Sequence, residues 1–218
     1  MKDYKYYASA CSSSHGNFLE PLGFSSTNNI EEADVIIFGG GADVDPKNYG
    51  EEKGSRTYAN PKRDKEEIRD FKFAQKVGIP SLGICRGHQF LCAMVGGKLI
   101  QDVSNHAGSD HQISTFDGLT LTTNSLHHQM INPYILKPKE YKILAWTPKR
   151  LSNRYFGAKD KSVYLPYEFK EIEAIYFPTI RAFSVQFHPE MMFNRSGKNE
   201  AVVTWTQKTF LQFFENKL

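Results

Sequence analysis

The chain lacks long hydrophobic runs: even a bulky stretch such as Val35-Ile36-Ile37-Phe38 is only four residues long. A bilayer-spanning helix needs about 20 apolar residues, so no membrane partner is expected. The start, Met1-Lys2-Asp3-Tyr4-Lys5-Tyr6-Tyr7, has no apolar core of a secretory signal, which leads to a cytoplasmic expectation. Charge of one sign is also scarce. With 27 basic and 24 acidic residues the net charge is +3, and the lysines are scattered, so no nucleic-acid partner is expected. Cysteine is rare too. Cys11, Cys85 and Cys92 are odd in number and show no C-x-x-C spacing, which argues against a disulfide framework and against a zinc site. Internal repeats are missing, and 218 residues suit one domain over 1–218.

What is present is an alternation of β-like and helical patterns. Tyr4 to Ala8 reads as an opening strand, followed by the polar stretch Ser12 to Gly16. Asp34-Val35-Ile36-Ile37-Phe38 is a β-branched run ending in Gly39-Gly40-Gly41, the pattern of a buried strand entering a tight loop. Asn60-Pro61 opens a helix, with Asn as N-cap and Pro tolerated in the first turn. Ile68, Phe71, Ala74 and Val77 recur at helical spacing, and Gly78 closes the helix. Pro80 to Ile84 is the next strand. Gly87 to Val95 is the next helix, with Leu91, Met94 and Val95 facing inward. This order predicts an α/β fold with a mainly parallel central sheet flanked by helices. The second half is β-rich, with short runs at Gly118–Thr122, Tyr141–Trp146, Ile172–Phe177 and Ala182–Phe187. Thr147 to Lys161 reads as a surface loop. A final helix is expected over Glu200–Glu215, burying Val203, Phe210, Leu211 and Phe214.

Chemistry concentrates at Ser81-Leu82-Gly83-Ile84-Cys85-Arg86-Gly87-His88-Gln89. A cysteine at a strand-to-helix turn, with glycines two residues to either side, has the nucleophile-elbow pattern. The glycines allow the bend and a close approach of neighbouring elements. The turn presents the thiol at the carboxyl end of the strand, and the following helix aims its positive end at the sulfur, favouring thiolate. Cys92 and, less strongly, Cys11 read as ordinary packed residues. A thiolate that cleaves an amide needs an acid/base, and that base needs an orienter. His188 in Ala182-Phe183-Ser184-Val185-Gln186-Phe187-His188-Pro189-Glu190 directly follows a strand. In an extended segment Glu190 would share its face. The Gly39-Gly40-Gly41 loop would lie at the same sheet edge as Cys85 and could supply a backbone N–H to an oxyanion beside that of Arg86.

Gly83-Ile84-Cys85-Arg86-Gly87-His88-Gln89 and Val185-Gln186-Phe187-His188-Pro189-Glu190 resemble the nucleophile and His-Glu motifs of class I glutamine amidotransferase-like enzymes. The segments at 40–51, 63–67, 96–103 and 124–129 are closer to the gamma-glutamyl-gamma-aminobutyrate hydrolase branch, the peptidase C26-like group. The resemblance covers roughly 34–190 and implies the flavodoxin-like three-layer sandwich of that family. It implies Cys85 as nucleophile, His188 as acid/base and Glu190 as its orienter, with Gly41 and Arg86 as oxyanion-hole donors. Gly40, Gln89, His127, His128 and Gln129 are placed near the substrate. No cofactor and no metal are implied: adjacent His127 and His128 point to opposite faces of an extended segment. His106 and His111 are expected at the surface or the pocket edge. The stretch before Glu31 is abbreviated, and Thr147–Lys161 matches nothing in the family pattern. Both lie where substrate specificity or a homodimer contact could be built.

The expected activity is hydrolysis of a small-molecule γ-glutamyl amide through a γ-glutamyl thioester. One alternative is a glutaminase subunit delivering ammonia to a separate synthetase, which requires that partner. Another is a non-catalytic binding or regulatory homologue, which the intact Cys-His-Glu set disfavours.

Overall fold

The computed structural model of the chain describes residues 3–193 and 200–218. The strands in chain order are β1 (Tyr4–Ser9), β2 (Phe24–Thr27), β3 (Val35–Phe38), β4 (Ser81–Ile84), β5 (Lys98–Ile100), β6 (Asp102–Val103) and β7 (His111–Thr115). They continue as β8 (Thr120–Thr123), β9 (Met130–Asn132), β10 (Lys142–Trp146), β11 (Tyr155–Phe156), β12 (Ile172–Phe177) and β13 (Ala182–Val185). The helices are α1 (Pro61–Val77), α2 (Arg86–Met94), α3 (Pro189–Met192) and α4 (Glu200–Phe214).

Nine strands form one sheet in the order β2-β1-β3-β4-β13-β12-β10-β7-β8. The first five pair in parallel, as the sequence pattern predicts, and the last four add an antiparallel extension. The β-rich second half therefore widens the same sheet. Every residue of β3, β4 and β13 is buried, because helices or loops cover both faces of the sheet centre. One core packs α4 and the segment after β1 against Tyr6, Ile84, Phe183 and Val185; the other packs α1 and α2 against Ile36, Phe38 and Ile175. In the second, Phe38, Phe71 and Phe90 meet with ring centroids 4.9–6.4 Å apart. Each fully buried Phe contributes about 1.5–3 kcal/mol.

The helix signals are realised as local chemistry. Asn60 caps α1 by accepting the Arg63 N–H at 3.2 Å, and Gly78 ends it in the left-handed region at φ 79°. Burial along α1 departs from the apolar stripe. Phe71 and Ala74 are buried, but Val77 is 50% exposed, while Asp64, Glu67 and Asp70 are buried. Charge partners on neighbouring elements pull that acidic edge inward. In α2, Leu91 is buried and Met94 and Val95 are only half-buried; in α4, Val203, Phe210 and Phe213 are buried while Leu211 and Phe214 are half-buried.

Other differences lie in the loops and the extension. Between β1 and β2 runs a 3-10 segment, Ser13–Leu22, in place of a full α-helix, in line with the abbreviated start. Strand β7 was not foreseen: His111-Gln112-Ile113-Ser114-Thr115 is too polar to read as core, yet it pairs with β8 and β10. The segment 147–161 is not simply a surface loop. Its β11 pairs with β6, and the Glu171 carboxylate accepts the N–H groups of Leu151 and Ser152, both at 2.8 Å. Among the described residues no helix is long and apolar enough to cross a membrane.

Candidate active site

Cys85 sits between β4 and α2 with φ 52° and ψ −104°, a strained conformation for a non-glycine residue. The bend is therefore on the cysteine itself. The flanking glycines serve close approach instead. A Cβ on Gly83 would come within 2.6 Å of the Gly87 carbonyl oxygen, and one on Gly87 would collide with the carbonyl oxygen of Phe38 in β3. Only bare backbone lets α2 start this close to the sheet. Cys85 ends up 7% exposed at the carboxyl edge of β4.

The parallel register of β13 on β4, with Val185 opposite Ile84, delivers the chain after β13 to the same edge. His188 caps α3, and its Nδ1 lies 2.7 Å from Glu190 Oε1. The pairing arises in the first turn of a helix and not on one face of an extended strand, because Pro189 starts that turn and its fixed φ suits the first helical position. Nδ1 facing a carboxylate carries the proton, which leaves Nε2 for Cys85. Burial opposes charge on this ring, but hydrogen bonds to Cys85 and Glu190 and their negative charge outweigh it, raising the His188 pKa to about 10. Asn124 clamps the same residue: its Oδ1 accepts the His188 N–H at 2.9 Å, and its Nδ2 donates to the His188 carbonyl at 3.1 Å.

The glycine loop is held from beneath. Arg63 donates to the carbonyls of Gly40 and Gly39 at 2.8 and 2.9 Å and to Glu67 at 2.9 Å. The N–H of Gly40 donates to His15 Nε2 at 3.2 Å, while His15 Nδ1 donates to the Ser12 carbonyl at 2.9 Å. A Cβ on Gly40 would press to 2.6 Å from Cε1 of His188, so this glycine makes room for the imidazole. The Arg86 side chain, 1% exposed, ion-pairs with Asp64 and Glu67 and donates to the Ala42 carbonyl at 3.2 Å. Burial and then the neighbouring Arg63 push its pKa down to about 10, against the pull of Asp64. The side chain that sequence alone left without a role thus ties α2 to α1 and to the loop.

Above Cys85 lies a recess of about 190 Å³ whose walls include Gly41, Asp43, Tyr58, Arg86, Gln89, His128 and Gln129. His128 is half-buried, and its Nε2 lies 3.2 Å from Asp43 Oδ1; that hydrogen bond raises its pKa against the effect of burial. Gln89 Nε2 donates to the Gln129 carbonyl at 3.0 Å, and its Oε1 has no hydrogen-bond partner among the described residues. His127 belongs to the wall, but its ring is buried, with Nδ1 donating to the Gln129 carbonyl at 2.9 Å. His127 and His128 do point apart, as expected. His106 and His111 are not surface residues: His106 is fully buried and the His111 side chain is 8% exposed, because both turn toward the glutamates at 171 and 173. A larger groove of about 720 Å³ runs between α4 and Leu119–Leu121, away from the thiol.

The structure brings Cys85, His188, Glu190 and the glycine loop to one sheet edge, where the sequence reading expects them, and adds His15, Asn124 and the buried side of Arg86, which that reading did not single out. The acids at 64 and 67, three apart on one helix, were the available signal for the last; Asn124 opens the 124–129 segment that carries the resemblance, and nothing local marks His15.

The family model described as Peptidase C26 matches residues 24–190. The chain belongs to the Peptidase C26 family. This Peptidase C26 chain is 34% identical over 135 residues to a glutamine amidotransferase-like protein, YvdE, of Lactococcus lactis. That match takes in 50% of the chain and spans 57% of the relative's length, a little over half. Among solved structures, a glutamine amidotransferase from Thermotoga maritima superposes with TM-score 0.57 at 14% identity, covering 100% of this chain and 87% of that one. A chain of the PurLQS structure from Thermotoga maritima gives TM-score 0.55 at 17% identity, covering 97% and 100%. At these identities the two structures show a shared fold, the class I glutamine amidotransferase fold.

Proposed function

We propose that this chain hydrolyses a γ-glutamyl amide bond, with Cys85 as nucleophile, His188 as acid/base and Glu190 as the group that orients it. The observation that carries this reading is the strained Cys85 at the carboxyl edge of β4, with the His188–Glu190 pair at 2.7 Å delivered to the same edge by the parallel register of β13. The Cys85 thiolate attacks the γ-carbonyl carbon, and the oxyanion is received by the N–H groups of Gly41 and Arg86. The His188 imidazolium gives its proton to the amine nitrogen as the C–N bond breaks, leaving a γ-glutamyl thioester. Imidazole then takes a proton from water, whose oxygen attacks the thioester and releases glutamate and the thiolate. Gln89, His128 and Gln129 are assigned to the γ-glutamyl end, since they form the recess walls with polar atoms. Asp43 beside His128 offers a carboxylate for an α-amino group. Gly40 and His127 support the site from behind and do not contact substrate in this reading.

The test is a panel of γ-glutamyl amides, from glutamine to γ-glutamyl-amines, assayed for release of glutamate. Turnover of one member by the wild type and none by Cys85→Ala is the expected outcome. A Cys85→Ala variant that retains activity overturns the mechanism, and a wild type inert on the whole panel overturns the substrate class. A second reading, a glutaminase subunit feeding a synthetase, draws on the shared fold with the PurLQS chain over nearly the full length of both. Glutaminase activity that appears only on addition of a synthetase would favour it.

A further inference from the structure

A second constellation of titratable side chains lies outside the recess. His106 follows β6, His111 opens β7, His127 belongs to the loop before β9, and Glu173 lies in β12. These four segments converge on one atom. Glu173 Oε1 is 3.1 Å from His111 Nε2, 3.7 Å from His106 Nδ1 and 3.8 Å from His127 Nε2. Two of these separations are too long for hydrogen bonds. They resemble the spacing of ligands around a common centre, since tetrahedral bonds of about 2.0–2.1 Å put ligand atoms about 3.3 Å apart. One ligand atom from each of His106, His111 and Glu173 lies within 4.8 Å of the others.

The far sides of the rings are set by neighbours. His127 Nδ1 faces the Gln129 carbonyl and must carry its proton, so Nε2 presents a lone pair toward Glu173. His106 Nε2 lies 3.3 Å from Glu171 Oε2, which leaves Nδ1 toward Glu173. A carboxylate or carbonyl behind a ligating histidine is the usual outer partner at metal centres. Neither ring nitrogen of the fully buried His106 has a hydrogen-bond partner among the described residues, nor do His127 Nε2 and Glu173 Oε2. Lone pairs facing a carboxylate oxygen repel unless a proton, as at His111, or a metal cation lies between them. We propose that His106, His111 and Glu173 bind a divalent transition-metal ion such as Zn²⁺, with His127 packed beside them. This revises the expectation of a metal-free chain.

The burial of His106 and Glu173, apart from the recess over Cys85, makes the site structural. It would fasten β7 and β12 to the segment after β6, against which lies the 124–129 loop, whose Asn124 clamps His188 and whose Gln129 walls the recess. The Ser125 hydroxyl and the His127 N–H both bond the His106 carbonyl, so the loop is already laced to this segment.

The test is a Co²⁺ titration of the chelator-stripped full chain, followed by visible absorption and by displacement with Zn²⁺. One Co²⁺ per chain is expected, with ligand-field bands and no sulfur-to-metal charge-transfer band. Binding should persist in Cys85→Ala and weaken at least 10-fold in His111→Gln, and Zn²⁺ should raise the Tm. No stoichiometric uptake by the folded chain overturns the proposal. So does a charge-transfer band, or binding lost with Cys85 and kept without His111. Should His111→Gln fail to fold, the wild-type spectrum and its persistence in Cys85→Ala decide.

Discussion

The parallel half of the sheet and its antiparallel extension both bury charge, and they balance it differently. Beneath Cys85 two arginines, Arg63 and Arg86, face Asp64 and Glu67, so permanent cations meet carboxylates. In the extension two glutamates face three histidines, whose charge depends on bound protons or on a cation. The first arrangement is set once the helices dock and gives the cysteine loop a fixed base. The second is complete only with something added. A rigid foundation lies under the nucleophile, and a conditional one lies behind the loop that positions its partner histidine.

The largest expected effect breaks the chemistry and spares both networks. Cys85→Ala should lower kcat by about 10⁴-fold or more with an unchanged circular dichroism spectrum, since the fold does not depend on the thiol. Next comes the permanent network. Arg86→Ala leaves Asp64 and Glu67 buried without that partner and should cost about 3–5 kcal/mol in urea unfolding. A cost under about 1 kcal/mol would mean that the arginine is not fixing the loop. Asn124→Ala probes the link between the halves: freeing the His188 backbone should cut kcat by about 10–100-fold with little change in unfolding midpoint.

The smallest expected effect is in pH dependence. His188 holds its proton up to about 10, above its unfolded value of 6.5. Its imidazolium therefore contributes stability that is complete below pH 6.5 and is lost as pH rises through about 10. Removing the thiolate in Cys85→Ala should lower the His188 pKa, read from the imidazole NMR signals. An unchanged value would show that Cys85 does not bear on this ring.

How much of this was legible follows the same division. The strand V-I-I-F, the Asn60-Pro61 start of α1, its Gly78 stop and the strand-to-helix turn at Cys85 carry local signals, and local signals survive in sequence. The His-Glu pair was legible as a pair, though its geometry comes from a helical turn. The burial of Asp64 and Glu67 was hidden because it depends on Arg86, brought in from the next helix. His15 and Asn124 act through backbone groups of residues 25 and 64 positions away, and no pattern announces that. His106 and His111 were misplaced for the same reason, since their carboxylate partners lie more than 60 residues downstream.

The measurement closest to the central claim is the intact mass of the protein after exposure to a glutamine-like electrophile, with peptide mapping of the adduct. The account predicts one adduct per chain, on Cys85, suppressed by excess γ-glutamyl substrate and missing in Cys85→Ala. An unlabelled Cys85, or an adduct on Cys11 or Cys92 in its place, would contradict it.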